Sequence, residues 1–236
     1  MVTRSDDIDD IDGVGLLAEP TRRLLYDLVA AADRPVTREE AAEAAGVPLH
    51  TAKFHLDRLA EAGLLAVEFH KVAGRDGRPG RTGPGSGRPS KHYRRAGREV
   101  SIALPPRQYD LLSRLLADAI VTASESGVSA EEAARRQAFA EGQALGAAHE
   151  DAAGSEVERL QAVLVEGGYE PRETAEGVVL RNCPFHAAVQ RQTAFVCGVN
   201  LEYVGGIVDG LHLTQRRACL DPEPGQCCVK VVPTQP

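Results

Sequence analysis

The feature that most constrains this chain is a capping box followed by an abrupt stop. In Thr37-Arg38-Glu39-Glu40 the Thr37 hydroxyl can accept the Glu40 amide while the Glu40 carboxylate returns to the Thr37 amide. A short helix begun there, Arg38–Ala45, ends at Gly46, a residue type that tolerates a left-handed backbone. The turn Gly46-Val47-Pro48 opens a helix to about Ala62, with Ala52, Leu56 and Leu59 facing inward and Gly63 closing it. Upstream, from Leu16, a helical period sets Leu17, Leu24, Leu25, Leu28 and Val29 on one face until Asp33-Arg34-Pro35 halts it. Helix, short helix, tight turn and helix form the helix-turn-helix arrangement.

The next segment reads as a hairpin. Leu64–Lys71 is a strand, Ala73–Ser90 is too rich in Gly, Pro and Arg to build a core, and Lys91–Arg95 returns as a second strand. A hairpin with a long basic tip after such a helix is the wing of a winged helix. Residues 70–98 carry nine Lys and Arg against the single Asp76, a net +8 within a chain of formal net charge −7. A compact basic segment on an acidic protein is a footprint for a polyanion, with a merely solvated loop as the alternative.

A helix laid in the major groove presents its N-terminal residues to base edges while its opposite face packs on the domain. The outward residues are Leu49, His50, Lys53, Phe54 and Asp57. Of these, His50 and Lys53 can hydrogen-bond base edges or phosphate, and Phe54 can meet a thymine methyl. Thr51 and Arg58 suit backbone contacts, and His55 reads as a satisfied, half-buried side chain. Arg75, Arg78, Arg81, Arg88 and Lys91 of the wing would add salt-sensitive affinity. Residues 47–65, Glu19–Tyr26 and Gly87–Arg94 together resemble ArsR-type winged-helix regulators, over about eighty residues in register. The resemblance implies a transcription regulator on double-stranded operator DNA, and a homodimer on a palindromic site is the default for so small a reading domain.

The expected organisation is α+β. Residues 1–12 form a disordered acidic tail, 13–98 the winged helix, 99–127 a linking or dimerisation helix, and 128–236 a C-terminal α+β sensor domain. Residues 101–104 can add a strand, and Pro105-Pro106 opens a helix striped with Tyr109, Leu112, Leu116, Ala119 and Ile120, widened by Leu111 and Leu115. Beyond it come helices over 130–149 and 156–167, a hairpin over 169–182, mainly helix over 187–213, and a strand over 227–232. The chain opens acidic, without a basic n-region and apolar run, and holds no stretch near the ~20 apolar residues of a membrane span, so the expected setting is cytoplasmic.

All five cysteines fall within Cys183–Cys228, an odd count that makes a poor disulfide framework. The pattern is Asn182-Cys183-Pro-Phe-His186, then Cys197, Cys219 and Cys227-Cys228. These loci are too spread for a zinc ribbon and unlike the compact ferredoxin run. Thiolates on separate elements can still converge on an iron–sulfur cluster, whose irons favour sulfur. This half resembles the effector domain of SufR-like regulators, which implies a cluster, expected as four-iron–four-sulfur, on Cys183, Cys197 and Cys227. The doubled position leaves Cys228 as an alternative to Cys227, and His186 is either a fourth ligand or an exposed capping residue. Cys219 reads as incidental. Zinc, a thiol switch, plain core packing and an organic-ligand domain stay open as alternatives. The chain contains no Walker A, HExxH, GxSxG or dinucleotide fingerprint, so it is not expected to be an enzyme.

Overall fold

The computed structural model describes residues 11–70 and 89–234, and the chain divides into two compact units, Met1–Ile102 and Ala103–Pro236. In the first, a 3₁₀ turn at Leu16–Ala18 leads to α1 (Pro20–Ala30), β1 (Val36–Thr37), α2 (Arg38–Ala45), α3 (Leu49–Glu61), β2 (Leu65–His70) and β3 (Ser90–Arg95). Glu19 caps α1, its carboxylate accepting the Thr21 and Arg22 amides at 3.0 and 2.7 Å. The capping box forms as its residues require, with Glu40 N–H on Thr37 Oγ1 at 3.2 Å and Thr37 N–H on Glu40 Oε2 at 2.8 Å. Gly46, at φ 65°, ends α2 in the left-handed region. The three strands lie in antiparallel order β1-β3-β2, with register from Leu65↔Arg95 to His70↔Ser90. Leu25, Val29, Ala41, Ala52, Leu56, Leu59, Leu65 and Tyr93 fill the core beneath them.

The second unit holds α4 (Tyr109–Ser126), α5 (Ala130–Ala147), α6 (Glu156–Glu166), β4 (Pro171–Thr174), β5 (Gly177–Leu180), α7 (His186–Val189), α8 (Thr193–Gly210), β6 (Arg216–Leu220) and β7 (Val229–Pro233). Its sheet is antiparallel in the order β4-β5-β7-β6. Helix α8 is buried on nearly every side, which explains its lack of amphipathic pattern. It lies directly against α5: a Cβ at Gly142 would stand 2.0 Å from the Tyr203 carbonyl oxygen, and one at Gly206 would stand 2.1 Å from that of Phe139. Only glycine lets two helix backbones approach so closely.

Several expectations shift. The helix read within 99–127 as a linker starts at Tyr109 rather than Pro105 and belongs to the second unit, with Leu111, Leu112, Leu115 and Ala119 in that unit's core. A face two leucines wide is what burial in a domain core demands, while Ile120 stays 65% exposed. Residues 101–104 form no strand, and β6 occupies a segment where none was expected. Leu24 is 44% exposed, while Leu25 and Val29 are buried in the core with Tyr26 packed against it. Of the expected tail, residues 1–10 lie outside the described residues, and 11–12 are helical.

Each unit has a contact whose contribution to stability can be measured. Hydrogen bonds from Arg34 and then the Thr37 amide hold the Glu40 carboxyl at about 2, below its ordinary 4.5. A carboxylate whose folded value is depressed contributes fully above the ordinary value and loses that contribution as pH falls toward the folded one. Amides of α2 should therefore lose exchange protection between about pH 4.5 and 2, and Glu40→Gln should flatten that window; an unchanged profile contradicts the assignment. In the second unit, Gly206→Ala should cost roughly 3 kcal/mol in urea unfolding by forcing the two helices apart. A neutral substitution would show that the crossing is loose.

Candidate DNA-reading surface and cysteine site

Helix α3 buries Ala52, Leu56 and Leu59, which turns the rest of its surface outward. Phe54 is 58% and Leu49 46% exposed; His50 and Lys53 are exposed, and Thr51 is half-buried. Arg58 is exposed, 3.7 Å from Glu61. Asp57 and Lys91 behave otherwise. The Lys91 ammonium pairs with Asp57 Oδ1, and the Tyr93 hydroxyl donates to the same oxygen at 2.8 Å. Partial burial opposes the Asp57 anion, but these two donors win and hold its carboxyl below the ordinary range. Burial first, then the bond to Asp57, pushes the Tyr93 hydroxyl far up, so it stays a donor. Lys91 therefore ties the wing strand β3 to the recognition helix, and its charge is already engaged. His55, 12% exposed, sits between Glu19 at 3.5 Å and Arg22 at 3.3 Å, a satisfied side chain. Arg75, Arg78, Arg81 and Arg88 lie outside the described residues.

In the second unit, cysteines from three segments meet in pairs. Cys183 follows β5, Cys197 is the fifth residue of α8, and Cys227-Cys228 precede β7. Cys197 and Cys228 form a disulfide across a Cα separation of 6.4 Å, while Cys183, Cys227 and Cys219 are free thiols. The Cys227 side chain, then burial, pushes the Cys183 thiol up. The Cys183 side chain in turn pulls the Cys227 thiol down against the cost of burial, helped by the Val229 and Cys228 amides and by Asn200. Asn200 is fully buried, and its Nδ2 donates to Cys227 Sγ at 3.2 Å. Its Oδ1 accepts the Tyr169 hydroxyl, which fixes the amide with its N–H groups toward sulfur. Asn200 stands one turn beyond Cys197 on α8, so helix geometry alone brings both to the site. His186 is exposed and bonded to Gln190, apart from these thiols, and Cys219 lies half-buried on β6. Among the described residues no group of three or more His, Cys, Asp and Glu side chains stands ready to hold a metal ion. Cys183 and Cys227 are nonetheless donors of the kind a soft metal takes, and Cys197 and Cys228 would join them only on reduction of their disulfide.

Residues 17–68 match a family model described as a helix-turn-helix domain. This part of the chain is a helix-turn-helix domain. The match runs from the turn before α1 through β2, and the helix-turn-helix domain carries every outward residue of α3 from Leu49 to Arg58. Comparison of the chain with curated proteins and with solved structures found no match. No helix among the described residues is long and apolar enough to cross a membrane.

Sequence reasoning missed Asn200 and Tyr169. Asn200 left a signal, since it is a polar residue inside the apolar run Val196-Cys-Gly-Val-Asn-Leu201 at a core position. Tyr169 left none, because its partner lies thirty-one residues away. The different settings of Lys53 and Lys91 can be read in solution. Lys53→Ala should weaken duplex binding and cut the log–log salt slope by about one. Lys91→Ala should change that slope less and instead loosen β3 in hydrogen exchange. Equal slope losses in fluorescence anisotropy titrations would contradict the Asp57 pairing.

Proposed function

We propose that the chain is a cytoplasmic, homodimeric transcription repressor. Its helix-turn-helix domain would read a palindromic operator, and its second unit would report iron–sulfur status through Cys183, Cys197 and Cys227. The observation that carries this reading is the meeting of cysteines from three separate segments beside a buried amide aimed at one of their sulfurs. A bound iron–sulfur cluster would supply an oxidation-sensitive cross-link among those segments. Asn200 favours an anionic sulfur at Cys227, because an N–H donor stabilises thiolate over thiol. Of the doubled pair, Cys227 therefore suits a ligand better than Cys228. The dimer is supported by Ile120 and Val121, which α4 leaves exposed, and by the need for two reading helices on a palindrome.

A second reading is favoured by the Cys197–Cys228 disulfide. Here the signal is thiol oxidation alone, with the Cys197 and Cys228 thiols giving two electrons and two protons to a peroxide, which is reduced to water or an alcohol as that bond forms. The two readings part on composition. Protein purified without oxygen should be brown and contain iron and sulfide that Cys183→Ser loses, with folding unchanged by circular dichroism. Colourless protein that stays so after anaerobic iron and sulfide reconstitution would overturn the cluster reading and leave the thiol switch. Unchanged iron in Cys183→Ser would remove that residue from the ligand set.

A further inference from the structure

The geometry points to Arg107 and Asn182 as positioning residues that carry the state of the cysteine site into the segment joining the second unit to the helix-turn-helix unit. This inference rests on the regulatory reading proposed for the cysteine site and names the route of its signal. Asn182 directly precedes Cys183 and is 5% exposed. Its Nδ2 donates to the Pro106 carbonyl at 2.9 Å and to the Gly168 carbonyl at 2.7 Å. Its Oδ1 accepts from Arg107 Nη1, and the same nitrogen donates to the Cys183 carbonyl at 2.9 Å.

Further hydrogen bonds extend the seam. The Gln108 amide donates to the Pro184 carbonyl at 3.2 Å, and the Ala187 amide donates to the Tyr109 hydroxyl at 3.4 Å. Phe185 is fully buried and anchors the Asn-Cys-Pro-Phe-His segment. That explains a motif whose His186 faces solvent: most of its residues hold residues 106–109 rather than a ligand. Ile102 ends the first unit, so the seam begins only four residues into the second.

The physical consequence is mechanical. A buried amide that loses one of its bonds leaves an unsatisfied polar group, so Asn182 and its partners move together or not at all. Whatever engages the Cys183 sulfur, whether metal or a second sulfur, acts on a backbone whose carbonyl Arg107 already holds. Residues 103–108 must then respond, and they lead into the DNA-reading unit by the covalent chain.

The test uses the full-length protein, loaded anaerobically with iron and sulfide or stripped with a chelator. Hydrogen exchange of a peptide spanning 103–112 and affinity for a duplex selected by the protein from a random pool are both measured. In native protein, stripping should change that exchange and the affinity by about tenfold, within the usual range of coupling between sites. Arg107→Gln should keep its iron yet show loaded and stripped forms within about twofold of each other, and Arg107→Lys should restore the native ratio. A native ratio in Arg107→Gln, or an equal shift of both forms that leaves the ratio intact, overturns the proposal. If native protein takes up no iron, the cluster reading fails on that count alone. The comparison is then made between reduced protein and protein oxidised with hydrogen peroxide, with the change of state at Cys183 established by mass spectrometry, where unchanged exchange over 103–112 overturns the coupling route itself.

Discussion

The close crossing of α5 and α8 is the constraint on which the second unit depends. Backbone meets backbone at Gly142 and Gly206, and again where a Cβ on Gly146 would lie 2.5 Å from the Ile207 carbonyl oxygen. A helix held this tightly cannot slide or rotate without steric cost, since packed interiors leave no free volume to move into. The position of α8 is thereby set, and α8 delivers both Cys197 and Asn200. The sheet supplies the other side, because β5 and β7 pair antiparallel and bring their flanking residues, Cys183 and Cys227-Cys228, to the same end.

Polar burial then specifies the site. Asn200 lies in an apolar core and must spend its hydrogen bonds there, on the Tyr169 hydroxyl and the Cys227 sulfur. Among the described residues Asn182 is the other buried polar side chain, and it is satisfied by Arg107 and by two carbonyls. The two amides flank the cysteines, one aimed at sulfur and one at the backbone that carries sulfur. The first unit uses a similar device on its surface, where Asp57 gathers Lys91 and Tyr93 and so fastens the wing strand to the reading helix.

The legible parts of the sequence were those with local causes. The capping box, Gly46 and the apolar spacing of Ala52, Leu56 and Leu59 act within a few residues of one another, and the structure has them as read. The helix expected over 156–167 likewise begins at Glu156, where the structure adds a capping box between Ser155 and Glu158. Illegible parts depended on partners distant in sequence. Lys91 reads as a free wing cation because nothing near it in the chain reveals Asp57. Strand β6, Arg216-Arg217-Ala218-Cys219-Leu220, has too mixed a pattern to announce itself and exists because Val229–Pro233 offers it an edge. Residues 109–120 showed their width of apolar face but not what covers it, and the answer was their own unit's core. For the candidate site, cysteine clustering along the chain was visible, while the pairing of Cys197 with Cys228 and the role of Asn200 needed the fold.

If the state of the cysteine site governs DNA binding by the helix-turn-helix domain, oxidation and operator affinity must move together. The most direct measurement is the affinity of anaerobically purified full-length protein for its selected duplex, before and after air oxidation, at one fixed salt concentration. The expected result is a change of about tenfold or more that Cys183→Ser abolishes without altering the fold. An affinity indifferent to oxidation in the native protein, with the cysteines shown by mass spectrometry to have changed state, would contradict it.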